Sequence, residues 1–283
     1  MIGGLPLPYP FELGFMQRAL AAGLVVGVFA PLIGTFLVQK RMSLIGDGIG
    51  HVAFAGVGAG LFAGIYPVWT ALAFAILGAL SVEWLRARRR ASGDLALALF
   101  FYSGIALGVV LASAHGGVGT GIIGFLFGQP LTVRPEEVVL ILILGAVVGA
   151  MVLILRRVLF AVVTDEDWSG IAGLPVKTIN ALLAILTAVA VVAAMQIVGI
   201  LLIAALMVLP VAVGQLLGRS FRGTLQAAVA AGVGSVIAGL TASRVWGLAP
   251  GGAIVLVAAL VFLIIALVRH SIPGGFPAEI GER

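Results

Sequence analysis

The stretch Val198–Leu217 reads VGILLIAALMVLPVAVGQLL and contains no charged residue. A helix rises about 1.5 Å per residue, so this stretch would be about 30 Å long, which matches the hydrocarbon core of a bilayer. Inside lipid every backbone N–H and C=O group must find a partner in the protein, and a single continuous segment achieves this as a helix. The sequence therefore predicts a transmembrane helix here.

Eight other stretches have a similar length and apolar character. They are Leu13–Val38, Leu44–Gly64, Pro67–Leu85, Leu95–Ala114, Val138–Leu155, Thr178–Ala194, Thr224–Ala242 and Gly252–Val268. We predict an all-α fold, a polytopic helical bundle of nine spans; a break at Pro31 would leave eight spans or ten segments. The apolar piece Ile122–Phe127 is too short to span and is predicted to be a re-entrant or interfacial helix.

The composition excludes most other classes of protein. Of the 283 residues, 62% are hydrophobic and only 10% are charged, whereas a soluble domain carries about 25% charged residues. An ordinary soluble enzyme, a disordered chain and a DNA-binding domain are therefore excluded, despite a net charge of +5. The chain has no cysteine, so disulfides, thiolate metal sites and thiol nucleophiles are excluded as well.

The positions of the basic residues predict the orientation. Thirteen of the sixteen Lys and Arg residues lie at alternate boundaries of the nine spans, and only Arg18, Arg134 and Arg244 lie at the others. By the positive-inside rule the N-terminus is predicted to be outside and the C-terminus in the cytoplasm.

The chain is predicted to be one membrane domain over residues 1–283. The bundle would occupy residues 13–270, followed by a short polar tail, 271–283. No P-loop or other nucleotide motif is present in the sequence, so any ATP chemistry must belong to a partner. No serine lies in a nucleophile-elbow context, which argues against an intramembrane hydrolase.

The motif SLIGDGIGH, Ser43–His51, places two ionisable residues near the start of the second span. Asp47 and His51 are four residues apart, so they share one face of a helix. An ionisable residue within a span is costly and usually faces a cavity or a partner. Carboxylate and imidazole suit a divalent cation such as Zn²⁺ or Mn²⁺, and a twofold dimer would bring four such ligands together.

Two other interpretations of this pair stay open at this stage. Asp47 and His51 would also be explained by a buried hydrogen-bonded pair that locks two helices, or by an interfacial cap.

His115, in a Gly-rich external loop, is either a point of metal capture or a solvated side chain. Glu83 and Asp94 flank the arginine cluster and are expected to pair with it.

The longest connection, Arg156–Thr178, carries a second candidate site. It contains the acidic run Asp165, Glu166 and Asp167, followed by a short helical stretch that ends at Gly173-Leu174-Pro175. An Asp at the start and a Gly-Leu-Pro at the end are helix start and stop signals. The pattern predicts a short cytoplasmic surface helix on which a partner could dock; a plain solvated connection is the alternative.

Several separated blocks resemble one family, the integral-membrane permeases of bacterial zinc, manganese and iron ABC importers. The blocks are FMQRALAAGLVVGVFAPLIGTFLVQKRMSLIGDGIGHVAFAGVG from Phe15, FLFGQPLTVRPEE from Phe125, LFAVVTDEDWSGIAGLPV from Leu159, AMQIVGILLIAALMVLPVAVGQLL from Ala194 and PGGAIVL from Pro250. The chain looks closest to the high-affinity zinc permeases of that family.

The resemblance implies a function, partners and site residues. Two permease copies, here expected to be a homodimer, would work with two cytoplasmic ABC ATPase subunits and an extracytoplasmic metal-binding protein. Asp47 and His51 match the family's metal ligands on the translocation path. Asp165, Glu166, Asp167, Gly173, Leu174 and Pro175 match the helix that couples to the ATPase.

The expected function is therefore ATP-driven import of a divalent cation, Zn²⁺ first and Mn²⁺ or Fe²⁺ next. The permease would hold no permanent cofactor, would bind no nucleic acid, and would not itself be an enzyme. The alternative is a proton-coupled secondary metal transporter that uses the same Asp47–His51 pair and needs no ATPase. The donor types alone do not choose between zinc and manganese.

Overall fold

A computed structural model of the chain describes residues 8–88, 93–114, 120–129 and 133–271. Within these ranges the regular structure is helical, and nine helices are long and apolar enough to cross a membrane. These nine are α1 (Gly14–Gln39), α2 (Ile45–Ala63), α3 (Pro67–Ala87), α4 (Gly93–Ala114), α6 (Pro135–Thr164), α8 (Val176–Ala194), α9 (Ile200–Leu217), α10 (Phe221–Trp246) and α11 (Pro250–His270). Two short helices, α5 (Thr120–Phe127) and α7 (Glu166–Ile171), complete the fold.

The predicted all-α bundle is confirmed, and so is a count of nine spans within the described ranges. Pro31 does not divide the first span, because α1 runs through it and the Thr35 hydroxyl donates a 2.8 Å hydrogen bond to the Pro31 carbonyl. The predicted loop Arg156–Thr178 is wrong at both ends: α8 already begins at Val176, and α6 continues to Thr164, so Arg156 and Arg157 lie on that helix. An arginine there keeps its charged head in a polar zone while its stem lies along the apolar helix.

Three helices form the centre of the bundle. Most residues of the apolar windows of α1, α2 and α8 are buried, whereas α4, α6 and α11 bury less than a third of theirs and form the lipid-facing surface. Small residues allow the closest approaches, as expected for helices that associate without a hydrophobic driving force. At Gly34 of α1 an added Cβ would run into the carbonyl of Met207 in α9.

The short helix α5 does not cross the bundle, as predicted. Its eight residues are about 12 Å long, well below the thickness of a bilayer. It ends at Gly128, which has a positive φ of 75° and packs directly on the backbone between α8 and α9. The Gln129 N–H donates a 3.1 Å hydrogen bond to the Gln196 carbonyl, which fixes α5 against that turn.

The two ends of the bundle differ in charge. We call the end that holds the C-termini of α1 and α3 together with α7 the basic end; Lys40 and Arg86 meet there. The end that holds the α2–α3 turn and the start of α6 is the opposite end.

Some residues singled out in the sequence lie outside the described part of the chain. They are His115, Arg89, Arg90 and the tail 272–283, together with the side chain of Asp94.

Candidate functional site

Asp47 and His51 lie where the sequence motif predicts them, in the first two turns of α2. Their side chains share one face, with His51 Nε2 3.6 Å from Asp47 Oδ1. His51 lies about 9 Å along the helix axis from the first residue of α2, well inside the span. This distance is short enough for an ion pair and slightly too long for a hydrogen bond, so the structure shows the two side chains in contact but not hydrogen-bonded.

The His51 ring is buried and lacks a hydrogen bond at one nitrogen. Its side chain is 6% exposed, and Nδ1 is a buried atom that has no hydrogen-bond partner in the structure. One face of the ring meets Phe101 of α4, with ring centroids 4.1 Å apart in an edge-on arrangement. A buried imidazole nitrogen with an unused lone pair or N–H group is energetically costly, so it points to a ligand or partner that the chain alone does not supply.

Asp47 opens into a cavity of about 210 Å³ between α2 and α4. The described residues that line the cavity are Leu44, Asp47, Gly48, Leu97, Ala98, Phe101 and Tyr102, and among them Asp47 is the only carboxylate. The Asp47 side chain is 32% exposed, while its neighbour His51 is closed off. A carboxylate in such an environment favours a cation beside it.

One copy of the chain supplies too few ligands for a tight metal site. Among the described residues no group of three His, Cys, Asp or Glu side chains could hold a metal ion. Two donors leave at least two positions of a tetrahedral ion open. Any complete site that includes Asp47 and His51 would therefore need ligands beyond the His, Cys, Asp and Glu side chains that the structure describes near them.

The predicted surface helix is present as α7, at the basic end. Asp165 is its N-cap, and its carboxylate accepts a 2.8 Å hydrogen bond from the Trp168 N–H. The helix ends at Ile171, and the φ of 82° at Gly173 allows the Leu174 N–H to bond back to the Ser169 carbonyl at 3.0 Å. Pro175 then precedes α8.

The outward face of α7 is apolar. Trp168 is 67% exposed and Ile171 is 80% exposed, and their spacing of three residues places them on one side of the helix. Asp167 is exposed as well, whereas Ser169 is buried against the bundle. Large apolar side chains so exposed beyond the membrane spans are typical of a contact surface for another protein.

Glu166 points the other way and joins a cluster of charges at the basic end, which we call the Glu166 cluster: Lys40, Glu83, Arg86, Glu166 and Asn180. Glu166 Oε1 lies 3.1 Å from Lys40 Nζ and 3.0 Å from Arg86 Nη2, and it accepts a 3.2 Å hydrogen bond from Asn180 Nδ2. Lys40 also donates to Asn180 Oδ1 at 2.6 Å, and Arg86 donates two 2.9 Å bonds to Glu83. The pairing of Glu83 with the arginine cluster is thus confirmed.

Burial and the neighbouring charges together shift the pKa values of two residues in this cluster. Burial, assisted by the nearby Arg86, lowers the pKa of Lys40, although Glu83 and Glu166 oppose the shift. Burial acts to raise the pKa of Glu166, but the attraction of Lys40 and Arg86 outweighs it, so that this pKa lies below its usual value. The carboxylate of Glu166 is therefore charged at neutral pH.

A third polar group lies at the opposite end. The Tyr66 hydroxyl donates a 2.7 Å hydrogen bond to Glu137 Oε1, and Gln196 Nε2 donates to the same oxygen at 3.2 Å. Burial, with the bond to Glu137, raises the pKa of Tyr66 to about 12. These bonds tie the α2–α3 turn to α6 and to the α8–α9 turn.

The sequence did not reveal the long-range partners in these clusters. In the sequence, Lys40 served only as one of the basic residues that predict the orientation, and no pattern marked Asn180 or Tyr66 as functional. The bond between Lys40 and Asn180 spans 140 residues of the chain and the bond between Tyr66 and Glu137 spans 71, so no local spacing records these contacts. The one available signal was that Lys40 and Glu83 are charges close to apolar spans, where an unpaired charge would be costly.

Comparison with known families places the chain. The model of the ABC 3 transport family matches residues 12–269, from just before α1 to the last turn of α11. This chain belongs to the ABC 3 transport family. It is accordingly a multi-pass membrane permease subunit and not an enzyme, since ATP hydrolysis in such transporters belongs to a separate subunit. The resemblance inferred from the separated sequence blocks is confirmed at the level of the family.

Individual members of the family align with most of this chain. The manganese transport system membrane protein MntC of Listeria innocua is 32% identical, over 89% of this chain and 90% of its own. The manganese import system permease protein ScaB of Streptococcus gordonii is 31% identical, over 88% and 90%. The solved structure of PsaBC from Streptococcus pneumoniae in complex with a Fab matches with a TM-score of 0.81 and 29% identity, over 93% of this chain and 92% of that one.

Proposed function

We propose that this permease carries a divalent transition-metal cation through the membrane, with Asp47 and His51 as ligands on its path. The single observation that carries the proposal is the state of these two side chains. His51 is buried within the span with an unpartnered Nδ1, and Asp47 opens into an apolar cavity beside it. A divalent cation beside Asp47 would offset the desolvated carboxylate and would have His51 Nε2, the nitrogen that faces Asp47, as its second ligand.

A second copy of the chain is proposed to complete the site. Each copy offers one carboxylate and one imidazole, and a twofold axis beside α2 would bring two of each together. Four such donors match the coordination number of Zn²⁺, and the remaining positions of Mn²⁺ would be filled by water. The open side of the Asp47 cavity, next to the exposed Tyr102, is the surface that the second copy would close.

Manganese is the first candidate for the cargo and zinc is the second. The zinc preference predicted from sequence resemblance has no support among the relatives described above, two of which carry names for manganese transport or import. The donors themselves accept either metal, because imidazole suits zinc and carboxylate suits manganese. We therefore propose Mn²⁺ import, with Zn²⁺ as the competing substrate.

The cargo is tested by uptake into vesicles that contain the permease, its ATPase and its metal-binding protein. We expect ATP-dependent accumulation of radioactive Mn²⁺, and weaker uptake of Zn²⁺ at equal free concentration. Faster ATP-dependent uptake of Zn²⁺ would restore the zinc assignment. Uptake without ATP, driven by a pH gradient, would instead support the proton-coupled secondary transporter.

The basic end is proposed to face the cytoplasm of a bacterial plasma membrane, with the N-terminus outside. The excess of Lys and Arg at this end supports the orientation through the positive-inside rule. The exposed Trp168 and Ile171 of α7 would then dock on the cytoplasmic ATPase, and the opposite end would receive the metal-binding protein. Asp165, Gly173, Leu174 and Pro175 shape α7 for this contact.

Truncation of this apolar face is expected to weaken the ATPase contact. Replacing Trp168 with Ala should lower the affinity of the ATPase by about tenfold or more, because a few large side chains, Trp among the foremost, carry most of the binding energy of an interface; Ile171→Ala should lower it in the same direction, since it removes apolar area that the contact would bury. The measurement is retention of the ATPase by immobilised permease in detergent. Leu260→Ala, which truncates a similarly exposed side chain on α11, is the matched control. Equal retention by all variants would contradict this assignment of α7.

A further inference from the structure

The Glu166 cluster connects α7 with the segment that carries Asp47. Lys40 is the C-cap of α1, and only Arg41–Leu44 separate it from the start of α2. This linker is short and internally bonded: the Met42 N–H donates to the Leu37 carbonyl at 2.9 Å, and the Ile45 N–H donates to the Met42 carbonyl at 3.1 Å. A displacement of Lys40 therefore moves the first turn of α2, where Asp47 lies.

Glu166 is the residue through which α7 reaches that segment. The helix packs on its chain neighbours α6 and α8. The ion pairs of Glu166 with Lys40 and Arg86 add links to the end of α1 and to α3, which are 126 and 80 residues away in sequence. One carboxylate oxygen receives all three donors, so a shift of α7 acts on Lys40, Arg86 and Asn180 together.

The cluster is balanced in charge and largely buried, which makes it stiff. Two cations, Lys40 and Arg86, face two anions, Glu83 and Glu166. The Lys40 side chain is 5% exposed and that of Glu83 is 10% exposed, whereas Arg86 and Glu166, at the rim of the cluster, are 26% and 35% exposed. Separating charges in such a site leaves them unpaired away from water, so the cluster is expected to move as a unit instead of coming apart.

From this geometry we infer that Glu166 is a positioning residue that transmits the movement of α7, through Lys40 and the α1–α2 linker, to the Asp47–His51 site. The inference rests on the proposed function and assigns α7 two faces with separate tasks. Trp168 and Ile171 hold the ATPase, and Glu166 passes its movement into the bundle. Loss of Glu166 should therefore uncouple ATP hydrolysis from metal transport without releasing the ATPase.

The test compares variants of the complete complex in vesicles, with metal uptake and ATP hydrolysis measured side by side. Glu166→Gln keeps the shape of the side chain and removes its charge. We expect metal transported per ATP to fall by about tenfold, in the range of typical coupling energies between sites, with ATP hydrolysis retained. Arg157→Gln, which removes one charge from an exposed side chain late in α6, should behave as wild type.

A second variant protects the test against simple misfolding. Glu166→Gln alone leaves one unpaired cation in the cluster, whereas Lys40→Met combined with Glu166→Gln restores neutrality and removes the connection. The double variant should fold and still be uncoupled. Wild-type metal transport per ATP in the double variant, or an equal fall of transport and hydrolysis in both variants, would overturn the inference. Absence of ATP-driven uptake by the wild type would count against the proposed function instead.

Discussion

Replacing His51 with Gln or Ala is expected to abolish ATP-dependent metal uptake while the complex stays assembled. The imidazole would be one of the few protein ligands on the path, and its Nδ1 has no other partner. Loss of an outer-shell partner alone typically costs 10–100-fold in metal affinity or activity, so loss of a direct ligand should lower uptake by more than about 100-fold. Asp47→Asn, which keeps the side-chain shape and removes the charge, should act in the same direction.

The variants separate a ligand role from a packing role. His51 is buried against Phe101, so His51→Ala also leaves a void, whereas His51→Gln retains much of the volume. The measurement is uptake at low metal concentration, together with retention of the ATPase to show that the complex is intact. His270→Ala, at the end of α11, is the control for removal of an imidazole. Uptake in His51→Gln and Asp47→Asn close to that of wild type would remove both residues from the metal path.

Much of the fold followed from the sequence because a bilayer imposes strict demands on the chain. Runs such as Val198–Leu217 must be helical, and the alternating basic residues fix how many times the chain crosses. The errors occurred where lipid no longer constrains the helix. Past Leu155 two arginines interrupt the apolar run, and nothing in the composition of Arg156–Thr164 marks where α6 stops.

The candidate site was only half accessible to sequence reasoning. Asp47 and His51 were found because their spacing of four is local, and the start and stop signals of α7 were local as well. The Glu166 cluster was not found, since Lys40 and Asn180 meet across 140 residues. The acidic run Asp165–Asp167 also looked uniform, yet in the structure Asp165 caps the helix, Glu166 turns inward and Asp167 faces outward.

Gly104→Ala is expected to disrupt the Asp47–His51 site by disturbing the packing of α4 against the backbone of α2. A Cβ there would lie 2.7 Å from both the backbone C and the carbonyl O of His51, and 2.9 Å from the Val52 N. These are backbone atoms that no rotamer change can move, so α4 would be pushed away from α2 and Phe101 would leave the His51 ring. We expect a destabilisation of about 1–3 kcal/mol and a large fall in metal uptake.

Gly149→Ala is the same chemical change at a position where we expect no harm. No atom lies within 4 Å of a Cβ built at Gly149 of α6, so this substitution should leave uptake unchanged and raise helix stability by up to about 1 kcal/mol. The two variants are compared by thermal unfolding of the detergent-solubilised permease and by uptake in the reconstituted complex. If Gly104→Ala were as stable and as active as Gly149→Ala, close packing of α4 on α2 would not be what holds His51 in place.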